Sequence, residues 1–274
     1  MDTFFDVLSP EEILESGAKA HPSAVIARGV ELSDEVEIGP HAVVGPKVQL
    51  GKNVVVGVGA VVSGRTVVGA GSRIYPYATV GGAPQDLKYA GEDTELVIGS
   101  GNSIREYVNI SLGTKGGGGR TVIGDNNLFM AYTHVAHDCL IGNDCVFANG
   151  VQIAGHVTIS NNVVFGGMSG GHQFCMFGEY AMVGAGAIVV QDVPPYCMVQ
   201  GDRASISGIN IVGLRRSGIG VKNINSIKEM FRFIYKENLT LEDAIAKIDA
   251  EVTESEYREK FVNFLKQSER GICR

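Results

Sequence analysis

Residues 26–80 read IARGVELSDEVEIGPHAVVGPKVQLGKNVVVGVGAVVSGRTVVGAGSRIYPYATV, and every sixth residue is aliphatic: Ile26, Leu32, Ile38, Val44, Leu50, Val56, Val62, Val68, Ile74 and Val80. Four residues after each stands a second series, Val30, Val36, Ala42, Val48, Val54, Ala60, Thr66, Ser72 and Ala78, all small or β-branched. Neither a 3.6-residue helix nor simple strand alternation generates this period. A six-residue unit fits a short strand plus a turn, with one large side chain inward and glycine relieving the corner. The period resumes at Ile98, Ile104 and Ile110. After a phase break it continues at Ile123, Phe129, Val135, Ile141, Phe147, Ile153, Ile159, Phe165, Gly171, Phe177, Val183 and Val189, where Gly171 alone is not large and apolar. Three units make a triangular coil of eighteen residues, and successive coils pair as parallel strands about 4.8 Å apart. The reading is an all-β solenoid, a parallel β-helix of hexapeptide repeats, about eight coils tall. Phe129, Phe147 and Phe165 should stack in one inner column, and Gly171 should leave a gap between Ile153 and Val189.

Composition agrees. The chain of 274 residues has 37 glycines, about twice ordinary usage. Lys and Arg total 23 against 30 Asp and Glu, a net charge of −7, which argues against a nucleic-acid partner. No apolar run reaches the roughly 20 residues of a transmembrane helix. The acidic start, MDTFFDVLSPEEILESG, lacks the basic and apolar regions of a secretory signal, so a cytoplasmic protein is expected. Its five cysteines are then expected to be reduced. The expected organisation is an N-terminal extension over 1–19, the β-helix over 20–193, a linker or substrate-contact segment over 194–220, and a small α-helical C-terminal domain over 221–274. Loops leave the coil at 81–95 and 115–119. In the tail, Ile224, Ile227, Met230, Phe231 and Ile234 share a helical face. Thr240 and Thr253 are expected to cap the two later helices. The tail should cover the open end of the coil stack.

Four of the six histidines fall between residues 134 and 172. The eighteen-residue register sets His137 beneath Gly155 and Gln173, Asp138 beneath His156, and His172 above Ala154. The inward positions are taken by aliphatics, so these polar groups should face an outer cleft. A neutral imidazole can take a proton from an attacking hydroxyl near pH 7. The Gly155 N–H could serve a developing oxyanion, and Asp138 could fix the tautomer of His137. A zinc site is the rival; His134 and His137 could supply two ligands, but no third has a confident spacing. No metal or other cofactor is expected.

The segments QDLKYAGE (85–92), HVAHDC (134–139), AGHV (154–157), HQFC (172–175), QDVPPY (191–196) and GINIVGLRRSG (208–218), with the terminal RGICR, resemble the UDP-N-acetylglucosamine O-acyltransferases of lipid A biosynthesis. The resemblance implies a left-handed β-helix, a homotrimer with active sites between subunits, and transfer of a 3-hydroxyacyl chain from acyl carrier protein to the 3-hydroxyl of UDP-N-acetylglucosamine. It makes His137 the general base, supported by Asp138, and Gly155 the oxyanion donor. Asp86 and Lys88 would contact the sugar nucleotide, while His134, His156, His172 and Gln173 position donor and acceptor. Asn210 and Arg216 would lie at the nucleotide end. Val212 stands where an acidic residue is often found and Ser217 where a second basic one is. Ala185 occupies the acyl-length position, where its methyl group implies a shorter or differently lodged chain than glycine admits. A local basic surface of Arg215, Arg216, Lys222 and Lys228 would receive the acidic carrier. Two other readings compete. One is the later N-acyltransferase of the same pathway, against which the short segment before the repeats counts. The other is a zinc lyase resembling γ-carbonic anhydrase, or an inert hexapeptide scaffold.

Overall fold

The computed structural model describes residues 6–274; residues 1–5 of the expected N-terminal extension lie outside the described residues. The sixfold period folds as a left-handed parallel β-helix with three flat faces. A first face starts at Lys19–Ala20, a second at Val25–Ile26 and a third at Glu31–Leu32. They hold eleven, nine and eight strands. Most strands are two residues long, with the second residue inward. Ile38 is thus buried while Glu37 is exposed, and Val44 lies in register with Val62. The companion series is also internal: Val36, Ala42, Val48, Val54, Ala60, Thr66, Ser72 and Ala78 are buried.

The phenylalanine column forms as expected. Phe129, Phe147 and Phe165 stack at centroid distances of 4.7 and 5.2 Å, nearly coplanar. Gly171 lies in register between Ile153 and Val189, but the place is filled. The Phe177 ring reaches across, so that a Cβ at Gly171 would stand 3.0 Å from it. Polar groups in the lumen are satisfied in a ladder. Asn102 donates to the Gly99 and Gly124 carbonyls, and accepts the Asn127 N–H at 2.9 Å; Asn127 then accepts the Cys145 N–H at 2.8 Å.

Two insertions interrupt the register. Val68 is paired with Ile98, thirty residues on instead of eighteen, because 83–94 form an excursion. Ile98 is paired with Ile123, twenty-five on, because a 3-10 turn at Lys115–Gly117 intervenes.

Beyond Pro194 and Pro195 the coil continues, where the sequence reading places a linker. Cys197–Gln200 adds a parallel strand in register with Met182 and Val183, and Ser205–Ile209 returns antiparallel to it. The prolines are tolerated because they sit at a corner against Gly178, where a missing N–H breaks no ladder. The helices are α1 (Pro10–Glu15), α2 (Ile211–Arg216), α3 (Val221–Tyr235), α4 (Leu241–Glu251) and α5 (Glu256–Gln267). In α3 it is Phe233, rather than Phe231, that joins Ile224, Ile227, Met230 and Ile234 in the buried face. Thr240 caps α4 as expected, but Ser255, not Thr253, caps α5 by accepting the Arg258 N–H. Phe261 of α5 stacks on Tyr196 at the end of the coil, so the tail covers that end. No helix among the described residues is long and apolar enough to cross a membrane.

Phe147 is fully buried between two other rings. Phe147→Ala should therefore destabilise the chain by about 3–5 kcal/mol, read as a lowered denaturation midpoint.

Candidate active site

The site is built on the corner between the second and third faces. In three successive coils, this corner is a two-residue turn whose second residue has positive φ: Asp138 (60°), His156 (62°) and Phe174 (65°). This answers how neighbours 137 and 138 meet. In a strand they would diverge to opposite faces, whereas the left-handed turn residue brings the carboxylate back beside the ring. His137 Nδ1 lies 2.7 Å from Asp138 Oδ2.

Asp138 is buried, and its oxygens accept from a single residue of the second insertion. The Thr114 N–H donates to Oδ1 at 2.8 Å and the Thr114 hydroxyl to Oδ2 at 2.6 Å. Below, the Asp138 N–H donates to Thr121 Oγ1 at 2.9 Å. The insertion lies so close that a Cβ on Gly117 would overlap the carboxyl group. A carboxylate receiving these donors accepts the Nδ1 proton, which leaves the Nε2 lone pair as the base.

Gly155 stands one coil above the imidazole. A Cβ there would approach His137 Cε1 to 2.7 Å and Nε2 to 2.9 Å, so a larger residue would displace the ring. The Gly155 N–H donates to no protein acceptor among the described residues, whereas its carbonyl accepts the Phe174 N–H at 3.2 Å. His156 meets the His137 ring edge-on at 5.1 Å and stacks on Phe174 at 4.4 Å.

His134, His137, Gly155 and His172 line one groove of about 470 Å³ along the second face. Gln85, Gln152, Gly170, Gly171 and Ile188 also line it. His134 Nδ1 lies 2.7 Å from Asn109 Oδ1. Burial, aided by nearby His137, lowers the pKa of His134 and favours its neutral form. The groove therefore offers one oriented base, an open amide donor and a trough of small and apolar residues. This is the equipment of an acyl transfer from a carbonyl donor to a hydroxyl.

Comparison with known proteins agrees. The family model described as UDP-N-acetylglucosamine O-acyltransferase, domain 2, matches residues 192–273, and that of the bacterial transferase hexapeptide (six repeats) matches 120–155. The acyl-[acyl-carrier-protein]–UDP-N-acetylglucosamine O-acyltransferase of Myxococcus xanthus is 49% identical over 94% of this chain and 100% of its own length. The chain belongs to the UDP-N-acetylglucosamine O-acyltransferase family. Among solved structures, LpxA from Acinetobacter baumannii is similar at a TM-score of 0.91 and 41% identity, covering 93% of this chain and 99% of that one. The UDP-N-acetylglucosamine acyltransferase of Francisella novicida is similar at 0.90 and 36%, covering 93% and 94%.

The other candidate residues of this acyltransferase are not among those lining the groove. Gln173 is exposed beside His172, whose Nδ1 is 3.2 Å from the Gln173 carbonyl. Asp86 accepts the Lys88 N–H within its own turn at 3.0 Å; Lys88 is exposed, and their neighbour Gln85 is the residue of that loop lining the groove. Ala185 is exposed at the opposite corner of the second face, against Gly166. Asn210 is buried and its amide is occupied, accepting the Gly213 N–H and donating to the Tyr180 carbonyl, each at 3.0 Å. It caps α2, at whose other end Arg216 is exposed, a structural employment that the motif alone does not predict.

The donor set speaks for proton handling over metal binding. His137, Asp138 and His156 offer ligand atoms within 4.8 Å of one another. Yet both oxygens of Asp138 already receive hydrogen bonds, and His156 Nδ1 stays 3.9 Å from the nearer one. A thiol nucleophile is also disfavoured. Burial pushes Cys139 and Cys145 up to about 12, and Cys175 and Cys273 up to about 11.

Asp138→Asn, which can present an N–H to Nδ1, should lower kcat by about 10²-fold or more through the wrong tautomer. Thr114→Val, which keeps the carboxylate but removes one donor, should cost about tenfold. Gly155→Ala should cost about 10²–10³-fold, as loss of an oxyanion donor and displacement of the base combine. Steady-state rates with unchanged thermal midpoints check all three.

Proposed function

We propose that the chain transfers a 3-hydroxyacyl group from acyl carrier protein to the 3-hydroxyl of UDP-N-acetylglucosamine, the first step of lipid A biosynthesis. The observation that carries the reading is the His137 imidazole, tied at Nδ1 to the buried Asp138 carboxylate and set directly beneath Gly155. His137 Nε2 takes the proton of the sugar hydroxyl as its oxygen attacks the thioester carbonyl. The tetrahedral oxyanion receives the Gly155 N–H. Collapse breaks the carbon–sulfur bond, and the imidazolium returns its proton to the departing thiolate. Asp138 stabilises the imidazolium between these steps.

His134, His156, His172 and Gln173 position the two substrates, with Asp86 and Lys88 reaching the sugar nucleotide from their loop. Arg216 pairs with its phosphates. The acyl chain lies along the second face toward Ala185, over Gly170 and Ile188. Arg215, Arg216, Lys222 and Lys228 receive the carrier; all four are exposed and none forms an ion pair among the described residues. The enzyme works as a homotrimer in the cytoplasm. Support for assembly comes from the corner that precedes the second face, where exposed Tyr77, Tyr107 and Tyr132 stack at 5.5 and 5.1 Å. Such an aromatic ladder suits burial against another copy.

Mass analysis of products from defined acyl carriers and UDP-N-acetylglucosamine tests the reading. The parent chain should give the 3-O-acyl product, and His137→Ala should abolish it; transfer that persists would refute the mechanism. The carrier KM should rise with salt, whereas a flat profile would remove the basic surface from the account. Ala185→Gly should lengthen the preferred chain.

A further inference from the structure

Beneath His134 on the second face stands an outward column of polar side chains. Thr79 lies in register with Asn109, and Asn109 with His134. Asn109 donates through Nδ2 to Thr79 Oγ1 at 2.8 Å. Its Oδ1 is thereby turned toward the coil above, 2.7 Å from His134 Nδ1. A carbonyl oxygen only accepts, so the proton of the neutral ring sits on Nδ1 and Nε2 carries a lone pair. That Nε2 has no protein partner among the described residues, and His134 lines the groove.

His137 is held in the same sense, with Nδ1 toward an oxygen of Asp138 at 2.7 Å. The two holders differ in charge. A carboxylate favours the imidazolium, whereas a carboxamide brings no charge to stabilise one. Burial, and then the neighbouring His137, lower the pKa of His134. A second cation beside a protonated base would also be repelled. His134 therefore stays neutral while His137 gains and loses its proton. A lone pair shut away from water by a bound substrate needs a donor, or its desolvation goes uncompensated.

We infer that Asn109 is a positioning residue that fixes His134 as a neutral hydrogen-bond acceptor, and that a hydroxyl or amide N–H of a substrate is the donor it receives. The inference rests on the acyltransferase reading for its ligand, because both proposed substrates carry such donors. One is the sugar nucleotide, with its hydroxyls and acetamido N–H; the other is the 3-hydroxyacyl chain on its pantetheine arm. Two imidazoles of one groove thus share a tautomer and divide the work. The one held by a carboxylate moves the proton, and the one held by an amide only binds.

Magnetic resonance of the full chain labelled with ¹⁵N-histidine reads the tautomer directly, the His134 signals being those lost in His134→Gln. The unliganded parent should show a protonated Nδ1 and a bare Nε2 there. Asn109→Leu removes the acceptor and should release the Nε2–H form. Asn109→Asp returns an oxygen and should restore the parent tautomer at about pH 8.5, where imidazole is neutral. Addition of UDP-N-acetylglucosamine or of a 3-hydroxyacyl pantetheine should shift the bare Nε2 signal as it accepts a hydrogen bond. A shift with the first assigns the donor to the sugar nucleotide, and a shift with the second assigns it to the acyl donor. Asn109→Leu should raise KM for that same substrate about tenfold and leave kcat within about twofold, as for a contact made equally in ground and transition states. A protonated Nε2 in the parent, an unchanged tautomer in Asn109→Leu, an Nε2 signal moved by neither probe, or KM values that Asn109→Leu does not alter would overturn the inference. A chain that shows the tautomer and the probe shift yet transfers no acyl group sinks the acyltransferase reading and leaves the role of Asn109 standing.

Discussion

Hydrogen bonds between successive coils govern this molecule. Each short strand is too brief to hold itself; it is held by the strand beneath and the strand above. That vertical ladder fixes which residues share a column, and a shift of one residue would turn the aliphatic series outward. The lumen has room for one large side chain per strand, as the stacked phenylalanines and the reach of Phe177 over Gly171 illustrate. Because the lumen accepts little else, polar chemistry is expelled to corners and outer faces, where the histidines gather.

The ladder alone would make a uniform prism. Asymmetry enters where the chain departs from it. The excursion over 83–94 sends Gln85 to the groove, and the short insertion after Ser111 delivers Thr114 to the Asp138 carboxylate. Both return the chain to the coil without disturbing the pairing above them. The strand after Pro195 and the backbone bonds of Asp192 to Gly271 and Cys273 then seat the helices and set Arg270 beside His172. Regular structure supplies position, and its interruptions supply the supporting contacts.

The repeat made the fold readable. Inner columns, stacked phenylalanines and the vertical relation of His137 to Gly155 followed from counting in eighteens. Phe174 above His156 was reachable by the same counting. The partners of the site were harder, since Asn109 meets His134 at a separation of twenty-five, and that number depends on an insertion whose course no period describes. Thr114 was hidden for the same reason. The coil beyond the prolines was missed because proline signals an ending in most strands, and a β-helix corner needs no N–H there. Asn210 resembled a ligand contact by motif, whereas its burial and its cap to Gly213 come from tertiary placement.

The groove climbs the second face through His134, Gln152, Gly170 and Ile188, one residue from each successive coil. Its floor is therefore graduated in rungs about 4.8 Å apart. A stop for a hydrocarbon tail can be raised or lowered by a whole rung through a single exchange of small for bulky residue, with no change to the backbone. Finer gradation must come from side-chain volume on one rung. Diversification of tail length on such a scaffold would proceed in discrete jumps, leaving the proton-transfer machinery at the foot of the ladder untouched.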